Sequence, residues 1–297
     1  MSASSKIIRK RIKSVASTKK ITRTMEMVAT SKLQRTQGRV IASRPYMQAL
    51  RDLMRRLGGS VDALRAFPLF EQRSPENRVL VVLVTANRGL CGGYNSNLVR
   101  KCKEHIAELE AEGKEVVLHV CGKKGIAALK FMGVEMASTR IDLSDNPTFA
   151  EAQSLADPLL DAFLDHEVDR VDLVFADFQS VSRQPPTAAT LLPVGADDDM
   201  TDDEELPEAS SSDQFLFEPS PMAILEELGP MFVKNMTYRV LLSAVASEQL
   251  ARRVAMKNAT DNANDMEKDL RLAYNKARQA QVTQELAEIV GGAAALE

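Results

Sequence analysis

The chain has 297 residues, enough for one large domain or two modest ones, and 44% of them are hydrophobic, enough for a real core. Aromatic residues make up only 5% and Trp is absent. That balance argues against the aromatic-rich centre of a large globular enzyme and favours long helices packed through Ala, Leu, Met and Val.

The net charge of −3 conceals a polarised chain. Met1 to Arg39 carries eleven Lys and Arg against a single acid, Glu26, whereas Asp197 to Asp213 carries nine acids and no base. The basic start could meet nucleic acid, anionic lipid or an acidic protein surface. Cys91, Cys102 and Cys121 are odd in number and form no CxxC pair, which points to free thiols in a reducing compartment. His105, His119 and His166 add no ligand spacing, so no metal site is expected. No apolar run approaches the ~20 residues needed to cross a bilayer, and the basic start lacks the apolar core of a signal peptide.

The first predicted element is a helix from about Ser5 to Leu57. Ile8, Ile12, Val15, Thr22, Met25 and Ala29 recur at three, four and seven, a seam at a coiled-coil period. Pro45 should bend this helix or mark a joint, and Gly58-Gly59 offers a stop. Such a helix would be ~75 Å long at 1.5 Å per residue and needs a partner. Next, Arg78 to Ala86 (RVLVVLVTA) reads as a strand buried on both faces. A helix over Asn95 to Glu112, a strand over Glu115 to Cys121, a helix over Lys123 to Met132, a helix from Thr148 to about His166 and a strand over Val171 to Asp177 follow. Thr187 to Val194 and Phe215 to Glu218 read as later strands, antiparallel and nearer an edge, with the acidic loop 197–213 between them solvated. The order describes a small doubly wound, Rossmann-like sheet.

The C-terminal helix, about Pro221 to Val290, holds the strongest pattern. Leu242, Val245, Gln249, Arg252, Met256, Ala259, Ala263, Met266, Leu270, Ala273, Ala277, Ala280, Gln284 and Ala287 alternate steps of three and four over six heptads. A 3.5-residue period implies a left-handed supercoil, and the alanines allow close approach of two backbones. This helix would reach ~100 Å, strained near Gly229-Pro230 and ended by Gly291-Gly292. The expected fold class is therefore α/β plus coiled coil: a long antiparallel coiled coil of the terminal helices around a central Rossmann-like domain. The divisions fall at 1–60, 75–220 and 221–297. Periodicity alone also admits an ordinary helical bundle.

Arg88-Gly89-Leu90-Cys91-Gly92-Gly93 follows the first strand, where an α/β domain would cradle a phosphate. It lacks the GK[ST] ending of a P-loop and the GxGxxG spacing of a dinucleotide site, so a tight turn presenting a protein contact is the better reading. There is no GxSxG, HExxH or Cys-His constellation, and no catalytic residue is assigned. No aromatic residue precedes Tyr46, which argues against a stacking nucleic-acid surface on the basic arm.

Several stretches resemble the gamma subunit of F-type ATP synthases. They are Ile12-Lys13-Ser14-Val15, Thr18-Lys19-Lys20-Ile21-Thr22, Met25-Glu26-Met27-Val28-Ala29, the Arg88–Gly93 turn, Ala255 to Asn262, Tyr274 to Ala280, Thr283-Gln284-Glu285-Leu286 and Glu288 to Ala295. The resemblance implies a non-catalytic rotor shaft without a cofactor. Its partners would be the alpha and beta subunits of a hexamer, the epsilon subunit and the c-subunit ring, and it would touch the membrane only through that ring, on the cytoplasmic face of a bacterial inner membrane. It implies hexamer contacts at Met25, Arg252, Gln279 and Thr283, foot contacts at Cys91, Phe215 and Glu218, and a coiled-coil seam including Ile12, Val15, Met256, Met266 and Leu270. One departure is Ala86-Asn87, where the family usually has Ser-Asp.

Overall fold

A computed structural model describes residues 3–58, 67–195, 218 and 220–294. The acidic loop 197–213 and Phe215 lie outside the described residues, as do the side chains of the predicted tip from Gly291 onward. Two compact units are present. A helical unit comprises Met1–Ser31 with Arg252–Glu297, and a sheet unit comprises Lys32–Ala251. The divisions expected at 60 and 221 are thus corrected. The stretches after Ser31 and before Arg252 bury their apolar side chains within the sheet unit, so each long helix changes unit inside its own length.

Helix α1 covers Ala3–Gly58 and helix α5 covers Pro221–Ala294. Between them come β1 (Arg78–Val84), α2 (Tyr94–Ala111), β2 (Glu115–Cys121), α3 (Lys123–Phe131), β3 (Ser138–Arg140), α4 (Phe149–Leu164), β4 (Arg170–Ala176) and β5 (Pro186–Leu192). Pro45 does not interrupt α1, since burial of Met47 and Leu50 on the core offsets its lost backbone donor. Gly291-Gly292 does not end α5, because each glycine costs only about 1 kcal/mol in a helix and Ala293-Ala294 follow. Residue Glu218 lies in a bend rather than a strand. The three-residue β3 was not anticipated, having no apolar run to reveal it.

In the sheet unit the strands lie in the order β3-β2-β1-β4-β5. β1 pairs parallel with β2 and β4, β2 pairs parallel with β3, and β5 closes one edge antiparallel to β4. Alternation along β1 sorts the two faces. Val79, Val81 and Leu83 pack with Leu98, Val99 and Cys102 of α2 and Leu129 of α3. Leu80, Val82 and Val84 pack in the layer that holds Leu159 and Phe163 of α4 and Val240 and Leu241 of α5. A sheet covered on both faces explains why β1 and β4 are nearly continuous apolar runs.

Local chemistry sets the element ends. Thr148 and Glu151 form a capping box at the start of α4, each satisfying a backbone donor of the other. Arg73 closes the far end of α4, donating to the carbonyls of Phe163 and Val168 at 2.6 Å each, with its guanidinium 4.2 Å from the Phe163 ring centre. Gly229 lets α5 pass close to Phe67, since a Cβ there would lie 2.6 Å from that ring. Gly122 joins β2 to α3 at φ +103, and a Cβ there would come within 2.1 Å of the Thr85 carbonyl. We expect Gly122→Ala to cost at least about 3 kcal/mol in urea unfolding, from backbone strain plus overpacking. Gly133→Ala also sits at positive φ but meets nothing within 4 Å, and should cost only about 1 kcal/mol.

Candidate functional site

In the helical unit α1 and α5 lie side by side in opposite directions. Thr260 Oγ1 donates to Thr22 Oγ1 at 2.8 Å, and Lys19 Nζ meets Glu267 Oε2 at 2.7 Å, so the order of partners reverses along the two helices. On α1 Ile8, Ile12, Val15, Lys19, Thr22, Glu26 and Ala29 are shielded in steps of four and three, with Ala16, Met25 and Thr30 half-buried beside them. The predicted Ile12 and Val15 lie on this line, and Lys19 fills the gap that an apolar pattern leaves between Val15 and Thr22.

On α5 the line is Met256, Thr260, Ala263, Glu267, Leu270, Tyr274 and Ala277. Met256 and Leu270 lie on it. Met266 does not: it is 54% exposed, and Glu267 beside it is buried. The correction has a physical cause. Met256, Ala263 and Leu270 are shared by two possible stripes, one continued by Ala259 and Met266 and the other by Thr260 and Glu267. The α1 side chains at those levels, Thr22 and Lys19, pair with Thr260 and Glu267, so Met266 turns outward while Ala259 stays half-buried. Val254 and Leu272, on other faces of the helix, are exposed too. Val282, Leu286, Ile289 and Val290 are exposed as well.

The residues assigned to hexamer contact divide. Gln279 and Thr283 are exposed, Met25 is half-buried at the flank of the seam, and Arg252 is buried at 7%. Of the foot residues, Glu218 is exposed. Cys91 is buried, its sulfur receiving the Asn95 side-chain amide at 3.1 Å. The neighbouring Leu90, at φ 62, is an apolar residue of that turn that faces outward, 62% exposed, beside the exposed Arg88.

The turn itself is tied down by its own chain. Asn95 accepts from the Ala86 amide at 3.0 Å. Asn87 accepts from the Lys123 amide at 3.0 Å and donates to the carbonyls of Ile141 and Leu143. The adjoining crevice at the carboxyl ends of β1 and β4 is where a doubly wound sheet would hold a ligand. Here α5 occupies it. Tyr94 Oη donates to the Ala244 carbonyl at 3.0 Å, Ser247 donates to the Ala176 carbonyl at 3.2 Å, and Ser243 receives the Phe178 amide at 2.6 Å. The sheet thus serves as a socket for a helix. Sequence reasoning missed these serines, which lie on a helix face with no motif to mark them.

A buried ionic cluster lies under α2. Asp172, 1% exposed, receives His105 Nε2 at 2.8 Å, Arg170 Nε at 2.7 Å and Thr190 Oγ1 at 2.9 Å. Burial pushes its carboxyl upward, but the His105 hydrogen bond, the Arg170 charge and hydrogen bond, and the Thr190 hydroxyl outweigh it and hold the group below the usual carboxylate range. Burial drives the thiols of Cys102 and Cys121 up to about 12, which leaves them unreactive. Among the described residues no group of His, Cys, Asp and Glu could hold a metal, and no helix is long and apolar enough to cross a membrane.

Asp172→Asn should cost about 3–5 kcal/mol at pH 7 by chemical denaturation, because it breaks a buried ion pair. The native carboxyl has a folded pKa below its unfolded value near 3.8, so its contribution is present above that pH and lost as pH falls through the folded value. The stability gap between the native chain and the variant should therefore narrow below about pH 4.

A family model described as ATP synthase matches residues 4–296. The ATP synthase gamma chain of Gemmatimonas aurantiaca is 44% identical over 295 residues, covering 99% of both chains. That of Leptospira biflexa is 41% identical, covering 97% of this chain and 98% of its own. Among solved structures, a chain of the Euglena gracilis mitochondrial ATP synthase (OSCP/F1/c-ring, rotational state 3) shares the fold at a TM-score of 0.67 and 23% identity, covering 99% of this chain and 94% of that one. With family match, length and fold in agreement, the chain belongs to the ATP synthase gamma-chain family.

Proposed function

We propose that this chain is the central rotor shaft of an F-type ATP synthase, a non-catalytic subunit of that enzyme complex. Ion flow turns the c-subunit ring, the ring turns the shaft, and the shaft's asymmetric surface drives the beta-subunit sites of an alpha–beta hexamer through their binding states. In reverse, ATP hydrolysis turns the shaft and pumps ions. The complex stands on the cytoplasmic face of a bacterial inner membrane, which this chain meets only through the ring. The terminal helices wind as a left-handed antiparallel coiled coil. The sheet unit, with its stretches of α1 and α5, is the foot beside the epsilon subunit.

The observation that carries this reading is the set of apolar side chains that α5 leaves exposed in the helical unit. Thr260 and Glu267 meet α1, whereas Val254, Met266 and Leu272 are apolar and exposed on other faces of the helix. Apolar residues that no part of the unit covers suit a surface enclosed by other subunits. Met25, Gln279 and Thr283 would meet the hexamer directly, whereas the buried Arg252 would act by holding the helix pair. Exposed Val282, Leu286, Ile289 and Val290 would turn within an apolar sleeve, where a charge would be costly to bury. At the foot, Leu90 rather than the buried Cys91 would make the contact, together with Glu218 and Phe215.

Co-elution decides between this reading and a free-standing scaffold: a shaft elutes with alpha, beta and epsilon subunits in unequal stoichiometry, and elution alone would overturn the proposal. Within the assembled complex, Leu270→Asp places a charge on the seam and should lower ATP-driven ion pumping by about an order of magnitude or more; normal pumping would count against the paired helices. Leu90→Asp should weaken binding of the assembled catalytic part to ring-containing vesicles. Cys91→Ala should leave that binding intact while lowering stability by about 1–2 kcal/mol.

A further inference from the structure

Residues 141–148, the loop between β3 and α4, join two parts of the sheet unit that lie far apart in the sequence. On one side is the turn after β1. The Asn87 side-chain amide donates to the carbonyls of Ile141 at 3.2 Å and Leu143 at 2.9 Å, and the Arg88 guanidinium lies 3.8 Å from the Asp145 carboxylate. On the other side is α1. Lys32 donates to Asp145 at 2.7 Å, and Arg39 donates to the Asn146 side chain and the Pro147 carbonyl. Lys32 and Arg39 are one heptad apart, which puts them on one face of α1 about 10 Å from each other along its axis. Two long side chains thus reach in from that face to three consecutive loop residues. Next to these, the Ser144 amide donates to Glu151 of α4 at 3.1 Å.

The turn reaches α5 without the loop, since Tyr94, just past it, donates to the Ala244 carbonyl at 3.0 Å. Its polar route to α1 runs through residues 141–148. Met47 is already buried in the core and Leu53 packs against it, so the loop is not needed to keep α1 in place. What it adds is direction: apolar contact resists separation with little preference of angle, whereas hydrogen bonds and an ion pair resist sideways displacement. Asn87 suits the joint because its amide works both ways. Oδ1 accepts from the Lys123 amide at 3.0 Å while Nδ2 donates to the loop, and a carboxylate there could only accept.

We propose that loop 141–148 is a load link, with Asn87, Asp145 and Arg39 as its positioning residues. It carries force from the turn after β1 to α1, so that both long helices, and not α5 alone, are driven when that turn is pushed. This rests on the function proposed above, in which Leu90 of the same turn meets the ring.

The whole enzyme in sealed vesicles tests the link. The quantity to measure is ATP-driven ion pumping against a pre-formed gradient, divided by pumping without one, because general damage to the chain lowers both rates together. Arg39→Ala and Asn87→Asp should each lower this ratio at least about twofold, the small end of what breaking one contact in a coupled network does. A parent-like ratio in both would overturn the proposal. Asn87 and Arg39 share no hydrogen bond, so their combination reports a common route. Asn87→Asp/Arg39→Ala should lower the ratio no further than the stronger single change, and additive losses would also overturn it. Hydrogen exchange in the assembled complex reads the loop itself: Asn87→Asp should speed exchange over residues 144–148 at least about threefold, and parent-like exchange would rule the link out. Co-elution with alpha and beta subunits decides the rotor reading separately, so a complex that assembles but keeps the parent ratio loses only the link.

Discussion

Two helices far longer than a small domain requires must each find somewhere to put a buried stripe along their whole length, and this need organises the chain. The helical unit meets it by mutual cover: α1 and α5 close on each other through Thr22 against Thr260 and Lys19 against Glu267, with Met256 and Ala263 beside them. In the sheet unit, Leu225, Val240 and Leu242 are buried among strands and helices instead. A helix surface with only one apolar stripe could not serve both kinds of neighbour. α5 manages it because its sequence is amphipathic at a heptad period in one stretch and apolar over a broader face in the other.

The same need explains what became of the nucleotide-binding architecture. A parallel sheet with a glycine-rich turn after β1 has the parts of a phosphate cradle, but the space at the strand ends is taken up by Ser243, Ala244 and Ser247. Each makes a hydrogen bond to a backbone group or to Tyr94, so the filling is specific rather than incidental. Charge follows a similar logic. Asp172 is acceptable in the centre of the unit only because three donors meet it, and its low proton affinity results from them. In the helical unit Glu267 is likewise held below its ordinary proton affinity by the hydrogen bonds of Lys19 and Arg271.

Much of this was legible in the residues. Continuous apolar runs identified β1 and β4, the helix read from Thr148 matched the start of α4, and the three-four spacing marked both long helices. The parts that sequence reading lost have definite reasons. β3 consists of Ser, Thr and Arg, whose strand conformation comes from pairing with β2 and not from any pattern of their own. Met266 was placed on the seam because it is apolar and correctly spaced, and Cys91 on the foot because its motif is; neither criterion registers which way a side chain points.

Period and composition alone determined that there would be long helices at both ends and an α/β sheet between them; that the helices pair was one of two arrangements the period admits. Family membership was legible for the same reason, in runs of identical residues. Only the tertiary structure decided which of two overlapping stripes on α5 faces α1, and where along each helix one unit gives way to the other. Both are choices between partners. A one-dimensional pattern scores how well a surface could be buried, whereas the polar groups that meet across the contact determine which surface is.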